Sequence, residues 1–245
     1  VNNVKGPRLP LILIPTTAGT GSEVTPISIV TTGATTKTGI VSPVLYADVA
    51  ILDATFTTGL PAHITAATGI DAMVHAIEAY TSKIKKNFYA DMLAKQALKL
   101  LNKNLKLVLQ DGSNLEARQN MLLGSMLAGQ AFANAPVGAV HALAYPLGGH
   151  FHLSHGHTNA LVLLEVLKFN APEAKQLYAE LMQWLNPYSQ GSIEGLCDLF
   201  IDHMQSHLDQ SGLTLKLSDL NIQEDQLETL AKDAMLQTRL LQNNP

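Results

Sequence analysis

The residue types best able to do chemistry stand in two stretches of the chain. The first runs from Ala66 to Tyr80 and holds Asp71 and His75. Its Ala, Met, Ile and Glu residues favour a helix, and Pro61 sits where a helix could start. Residues four apart on a helix share one face. A carboxylate oxygen beside an imidazole nitrogen is half of a site for zinc or ferrous iron. Alone, such a pair reads as a solvated or mutually paired Asp and His. The second stretch, Asn134 to His157, carries five of the nine histidines: His141, His150, His152, His155 and His157. His141 lies in an apolar, helix-prone run, where an unsatisfied imidazole is costly. His155 precedes Gly156, just before a helical segment that opens near Thr158. Two imidazoles from this stretch, joined to Asp71 and His75, would make a three-His, one-carboxylate set with an open position for substrate.

The elements that must position these residues fall into two groups. Arg8 to Pro15 reads as a short buried strand bounded by prolines. It delivers Thr16-Thr17-Ala18-Gly19-Thr20-Gly21-Ser22-Glu23, a loop whose glycines and hydroxyls suit an anion such as a dinucleotide phosphate. The loop is neither GxGxxG nor a Walker motif, and by itself it is equally an ordinary turn. Strand-like runs follow at Val24–Thr31, Gly39–Val41 and Asp48–Asp53, with Lys37 in a turn where a lysine reaches phosphate or solvent. Near Gly59 the pattern changes to apolar spacings of three and four. Helices are predicted over Phe88–Leu109, Leu115–Ala133, Pro172–Asn186, Ser192–Leu208 and Gln223–Leu241. The fold class expected is mainly α: an all-helical metal-binding domain over 59–245, preceded in 1–58 by a few strands.

Composition narrows the function. The chain has 245 residues, 47% hydrophobic and 15% charged, with a formal net charge of -4. This is a globular composition without the basic footprint of a nucleic-acid binder. Its longest apolar runs, such as Leu161 to Leu164, stop far short of the roughly 18 residues of a membrane span. One cysteine, Cys197, excludes an internal disulfide and suits a reducing, cytoplasmic setting.

Three blocks together resemble the iron-containing, group III alcohol dehydrogenases, related in fold to dehydroquinate synthase. They are Pro15–Glu23, Ala66–Tyr80, and Ala128–Asn134 continuing through His141 to His155-Gly156. The resemblance implies hydride transfer between a metal-bound alcohol or aldehyde and a nicotinamide, NAD or NADP, with Fe²⁺ or Zn²⁺ as the metal. It places the metal ligands on Asp71, His75, His141 and His155. It places cofactor contacts on Thr16, Thr17, Gly19, Thr20, Gly21 and Ser22, with Lys37, Thr57 and Leu60 nearby.

The chain departs from the family pattern twice. Many relatives carry a histidine four residues after the third ligand; here that position is Tyr145, whose hydroxyl would relay a proton or bind substrate oxygen. The family's Rossmann-like domain, with its Gly-rich pyrophosphate loop, precedes the first block and is not in this sequence. The sequence therefore reads as a fragment: the last strands of a truncated cofactor domain plus the metal domain. Such a fragment is expected to bind dinucleotide weakly, to be inactive by itself, and to form a homo-oligomer through residues 9–53. The competing readings are a hydroxyacid-oxoacid transhydrogenase-like enzyme, which needs a basic residue in the pocket, and a noncatalytic metal-stabilised helical domain. A small alcohol, aldehyde or hydroxyacid is the expected partner, with no nucleic acid and no membrane.

Overall fold

The computed structural model describes residues 7–32 and 36–245. Among these the protein is mainly helical. Helix α1 (Ala62–Thr81) is its axis, buried from Thr65 to Thr81 apart from Thr68. Apart from Asp71, His75 and Glu78 its buried residues are largely apolar, as suits a helix in the middle of a bundle. Around it pack α2 (Phe88–Gln110), α3 (Leu115–Asn134) and α5 (His155–Leu185). The second and third helices begin at Asn87 and Asn114, whose side chains accept the N–H groups of Ala90 and Ala117. Each satisfies an amide left open by the first helical turn. The short α4 (Ala139–Phe151) lies against α5, and α6 (Ile193–Gln210) closes the outer side.

Two expected boundaries move. Pro172 does not begin a helix but sits inside α5, which runs unbroken for 31 residues. A mid-helix proline costs about 3 kcal/mol. Here Leu163, Val166, Leu167, Asn170, Ala174, Tyr178 and Leu181 form one buried stripe across it, so both halves are held on the same core. The helix expected over Gln223–Leu241 divides into α7 (Glu224–Met235) and α8 (Thr238–Leu241). The break turns the chain back towards α4. There Asn243 Nδ2 donates to the Val137 carbonyl (3.2 Å), and Asn244 Oδ1 accepts from the Ala139 amide (3.2 Å) and Asn170 Nδ2 (3.0 Å). The turn that launches α4 is thereby clasped.

The strands are shorter than the apolar runs suggest. β1 (Ile12–Leu13) pairs in parallel with β4 (Val49–Ala50), while β2 (Ile27–Thr32) and β3 (Thr36–Val41) form an antiparallel hairpin, Ile27 opposite Val41. Pro10 and Pro15 lack ladder donors, which limits the first strand.

Close backbone approaches bring the elements to the site. Gly156, in the first turn of α5, lies against α1 so closely that a Cβ there would stand 2.1 Å from the Ala67 carbonyl oxygen. Gly21, at φ 57°, and Gly129 of α3 meet the same way, a Cβ on Gly129 falling 2.6 Å from the Gly21 oxygen. These glycines serve close packing of loop and helices.

Two predictions arise from this packing. Gly156→Ala must push α5 off α1 and carry His155 away from Asp71; loss of about 3 kcal/mol of stability is expected, at the upper end of overpacking costs, together with weakened metal uptake. Chemical unfolding and metal titration of the variant check it, and wild-type values in both would refute the contact. On the far side, His203 and His207 both direct Nε2 at Asn102 Oδ1 (2.5 and 2.7 Å), and burial depresses the His207 pKa to about 4. The unfolded chain then binds a proton that the folded one refuses between about pH 6.5 and 4. Stability should fall as pH drops through that window, and His207→Gln should flatten the slope in pH-dependent unfolding.

Candidate metal centre

Helix α1 presents Asp71, His75 and Glu78 at i, i+4 and i+7, one above another on a single face. Helix α4 supplies His141 and Tyr145, and the first residue of α5 supplies His155. Asp71, His75 and His141 are buried. One ligand atom from each of Asp71, His75, His141 and His155 lies within 4.8 Å of all the others. The separations include 3.0 Å between the two Nε2 atoms of His75 and His141. From Asp71 Oδ1 they are 3.5 Å to His155 Nε2, 3.8 Å to His75 Nε2 and 3.9 Å to His141 Nε2.

The surroundings fix which nitrogen of each ring carries its proton. His75 Nδ1 faces the Gly19 carbonyl at 3.3 Å, an atom that can only accept. His141 Nδ1 lies 2.6 Å from Glu78 Oε2, again an acceptor. With both protons on Nδ1, both Nε2 lone pairs point at one another. Two unprotonated nitrogens 3.0 Å apart, with a carboxylate oxygen beside them, repel unless a cation sits between them. Ligands about 2.0–2.1 Å from one ion at angles between square and tetrahedral stand about 3–3.5 Å apart, which is the spacing seen for the imidazole pair.

The electrostatics agree. Burial pulls the His75 pKa down to about 3, so its ring is neutral and ligand-competent at pH 7. Burial pushes the Asp71 carboxyl upward, yet it is held below its ordinary value, and the Asn159 amide donates to the ionised form. Asn159 Nδ2 donates to Asp71 Oδ1 at 2.6 Å. Its Oδ1 is a buried acceptor without a hydrogen-bond partner among the described residues, and a bound ion's water would complete it.

Glu78 was not distinguishable from an ordinary helix carboxylate by sequence, though its i+7 spacing from Asp71 was the available signal. Buried at 6% exposure, it accepts the Val140 amide at 2.7 Å through Oε1 and the His141 ring through Oε2. One carboxylate thus caps α4 and orients the ligand that α4 carries. Phe132 stacks on His75 with ring centroids 4.5 Å apart, closing the apolar side.

A cavity of about 440 Å³ opens beside these residues, lined by His75, His141, His155 and Tyr145. The Tyr145 ring centroid lies 6.5 Å from that of His141 and 6.0 Å from that of His155, and burial raises its phenol pKa, so the hydroxyl keeps its proton. Of the Thr/Gly loop, Thr20 and Ser22 line the cavity, with Thr20 Oγ1 and Ser22 Oγ 3.1 Å apart. Gly19 and Gly21 serve contacts to α1 and α3, and Thr16 and Thr17 lie earlier in the loop. Thr57 is buried and donates to the Ala54 carbonyl at 2.8 Å, and the Leu60 amide bonds the Thr57 carbonyl; neither lines the cavity. Lys37 belongs to β3, but its side chain falls outside the described residues. His157 is bonded to the Thr214 carbonyl, and His150 to Asp233.

Comparison with known proteins settles the lineage. Residues 65–245 match the profile of the Fe-containing alcohol dehydrogenase family, C-terminal, and residues 1–54 match that of iron-containing alcohol dehydrogenase. The chain belongs to the iron-containing alcohol dehydrogenase family. It is 42% identical over 238 residues to long-chain-alcohol dehydrogenase 1 of Geobacillus thermodenitrificans, covering 97% of this chain and 60% of that relative. The crystal structure of a 1,3-propanediol oxidoreductase superposes with a TM-score of 0.94 at 36% identity, over 99% of this chain and 63% of that one. Sulfoacetaldehyde reductase from Bifidobacterium kashiwanohense, solved in complex with NAD⁺, superposes at 0.84 with 31% identity, over 98% and 61%. The chain thus spans about 60% of the length of these relatives.

The site yields a direct test. His141→Ala or His155→Ala should abolish stoichiometric binding of Fe²⁺ or Zn²⁺, whereas His157→Ala and His203→Ala should retain it. Glu78→Gln keeps the volume but offers one acceptor where two are needed, and should weaken binding about 10–100-fold. Metal titration of the stripped protein reads all five; equal losses throughout would assign the effect to the fold.

Proposed function

We propose that this chain is the metal-binding part of a nicotinamide-linked alcohol dehydrogenase, with Asp71, His75, His141 and His155 holding a divalent ion, Fe²⁺ or Zn²⁺. The observation that carries the reading is the convergence of imidazole lone pairs and a carboxylate on one point. When bound, the ion supplies Lewis acidity and the nicotinamide, NAD or NADP, a two-electron redox partner. The chain's own residues do the rest. Asp71 contributes the charge that balances a dication, and Glu78 and the Gly19 carbonyl hold two rings in the ligating tautomer. Tyr145, protonated and facing the same cavity, donates a hydrogen bond to the substrate oxygen and moves its proton. Phe132 and the β2–β3 hairpin exclude water, which strengthens every polar contact inside.

Thr20 and Ser22 are the loop hydroxyls best placed for the nicotinamide end of the cofactor. Residues 1–58 are read as the last strands of the cofactor domain and 59–245 as the metal domain. No helix among the described residues is long and apolar enough to cross a membrane. A buried free thiol at Cys197 favours a cytoplasmic setting.

The test is turnover by the protein at the full length of its relatives, followed by nicotinamide absorbance across a panel of small alcohols. Activity should appear on adding Fe²⁺ or Zn²⁺ and vanish with a chelator. Tyr145→Phe should keep its metal and lose about 10²-fold in kcat. A protein that binds both metal and dinucleotide yet oxidises nothing in the panel would overturn the reading.

A further inference from the structure

The cavity contains a cation that neither the metal centre nor the cofactor loop requires. Arg239, in α8, lines the same cavity as His75, His141, His155 and Tyr145. Its backbone is anchored: its carbonyl accepts from Asn243 Nδ2 (2.9 Å) and Gln242 Nε2 (3.2 Å). The next residue, Leu240, is buried with Val137 and Ala142 against Phe132 and Tyr145. The guanidinium extends along β3 past Gly39, where a Cβ would come within 3.3 Å of its Nη2. Glycine at 39 leaves it room.

The charge balance of the cavity is one-sided. Arg239 and Lys85 line it and no carboxylate does, and among the described residues no carboxylate pairs with Arg239. The remaining wall is largely apolar, formed by Ile27, Ile29, Val41, Phe132 and Val137. Through Leu240, packed against Tyr145, the cation is tied to the reacting end of the cavity. A guanidinium is a planar fork matched to two oxygens of one oxyanion, and Arg239 is exposed where the cavity opens, within reach of such a group. A plain alkanol offers that fork no partner.

We propose that the substrate is a short alcohol, or its aldehyde, whose far end carries an oxyanion, carboxylate or sulfonate, and that Arg239 binds that group. Arg239 is then a specificity-determining residue, with Lys85 adding charge at the mouth. The inference rests on the dehydrogenase reading above and adds the substrate class to it.

The test compares anionic alcohols with a neutral one in the full-length, metal-loaded enzyme: 4-hydroxybutanoate against 1-butanol, and 3-hydroxypropanesulfonate against the same alcohol. Each anion should exceed the alcohol in kcat/KM. In Arg239→Ala that preference should fall about 10-fold, chiefly through KM, as expected when a charged hydrogen-bond partner at a solvent-accessible site is removed. Arg239→Lys, which keeps the charge without the fork, should recover part of it. Calorimetry with butanoate supplies a readout independent of turnover, and wild-type binding should disappear in Arg239→Ala. The larger preference between the two anions identifies the headgroup. Equal use of 1-butanol and both anions by the wild type, or an unchanged preference in Arg239→Ala, would overturn the assignment while leaving the dehydrogenase reading intact. A change in NADP-over-NAD preference with the substrate ratio unmoved would assign Arg239 to the cofactor and equally overturn it. No turnover of any alcohol or anion would instead count against the dehydrogenase reading itself.

Discussion

Two protons govern the metal centre: those on Nδ1 of His75 and His141. Each is held by an acceptor that cannot donate, the Gly19 carbonyl and the Glu78 carboxylate. Because those protons are held outward, two lone pairs face each other across 3.0 Å beside an ionised Asp71. Much of the rest of the fold serves that confrontation. α1 gives Asp71, His75 and Glu78 a common face, the Thr/Gly loop brings the Gly19 carbonyl, and Glu78 ties the start of α4 to α1. Gly156 lets α5 approach until His155 completes the set.

The helices surrounding the site were largely legible in the sequence because their signals are local. Periodic apolar spacing marked α2, α3 and α6. The four-residue spacing put Asp71 and His75 on one face of α1, but alone it left them an ordinary pair. His141 and His155 became ligands only through the resemblance to a family, since nothing local separates them from His150, His152 and His157. What separates them is tertiary: His150 and His157 have found Asp233 and Thr214 instead.

Other features were not legible, for related reasons. The glycines of the loop suggested an anion cradle, whereas Gly19 and Gly21 meet α1 and α3, partners distant in sequence. Pro172 looked like a helix start because a local rule cannot weigh a buried stripe that continues on both sides of it. Arg239 lay near the end of the long helix expected over Gln223–Leu241 with nothing to single it out, and the turn after α7 is what brings it to the cavity. Asn159 gave no sign of its place beside Asp71 beyond its position one turn after His155.

The clasp on α4 bears on how the protein is made. Asn243 and Asn244 reach the turn before α4 from 106 and 105 residues further along the chain. During synthesis, α1 to α3 can therefore collapse together while the N-terminal turn of α4 still lacks these partners. His141 gains its full support only when residues 243 and 244 have left the ribosome, so the centre's third ligand is among the last pieces of the bundle to become rigid. A firm hold on the ion then depends on those two side chains: a chain without Asn243 and Asn244 would fold much of its core and still hold its metal loosely.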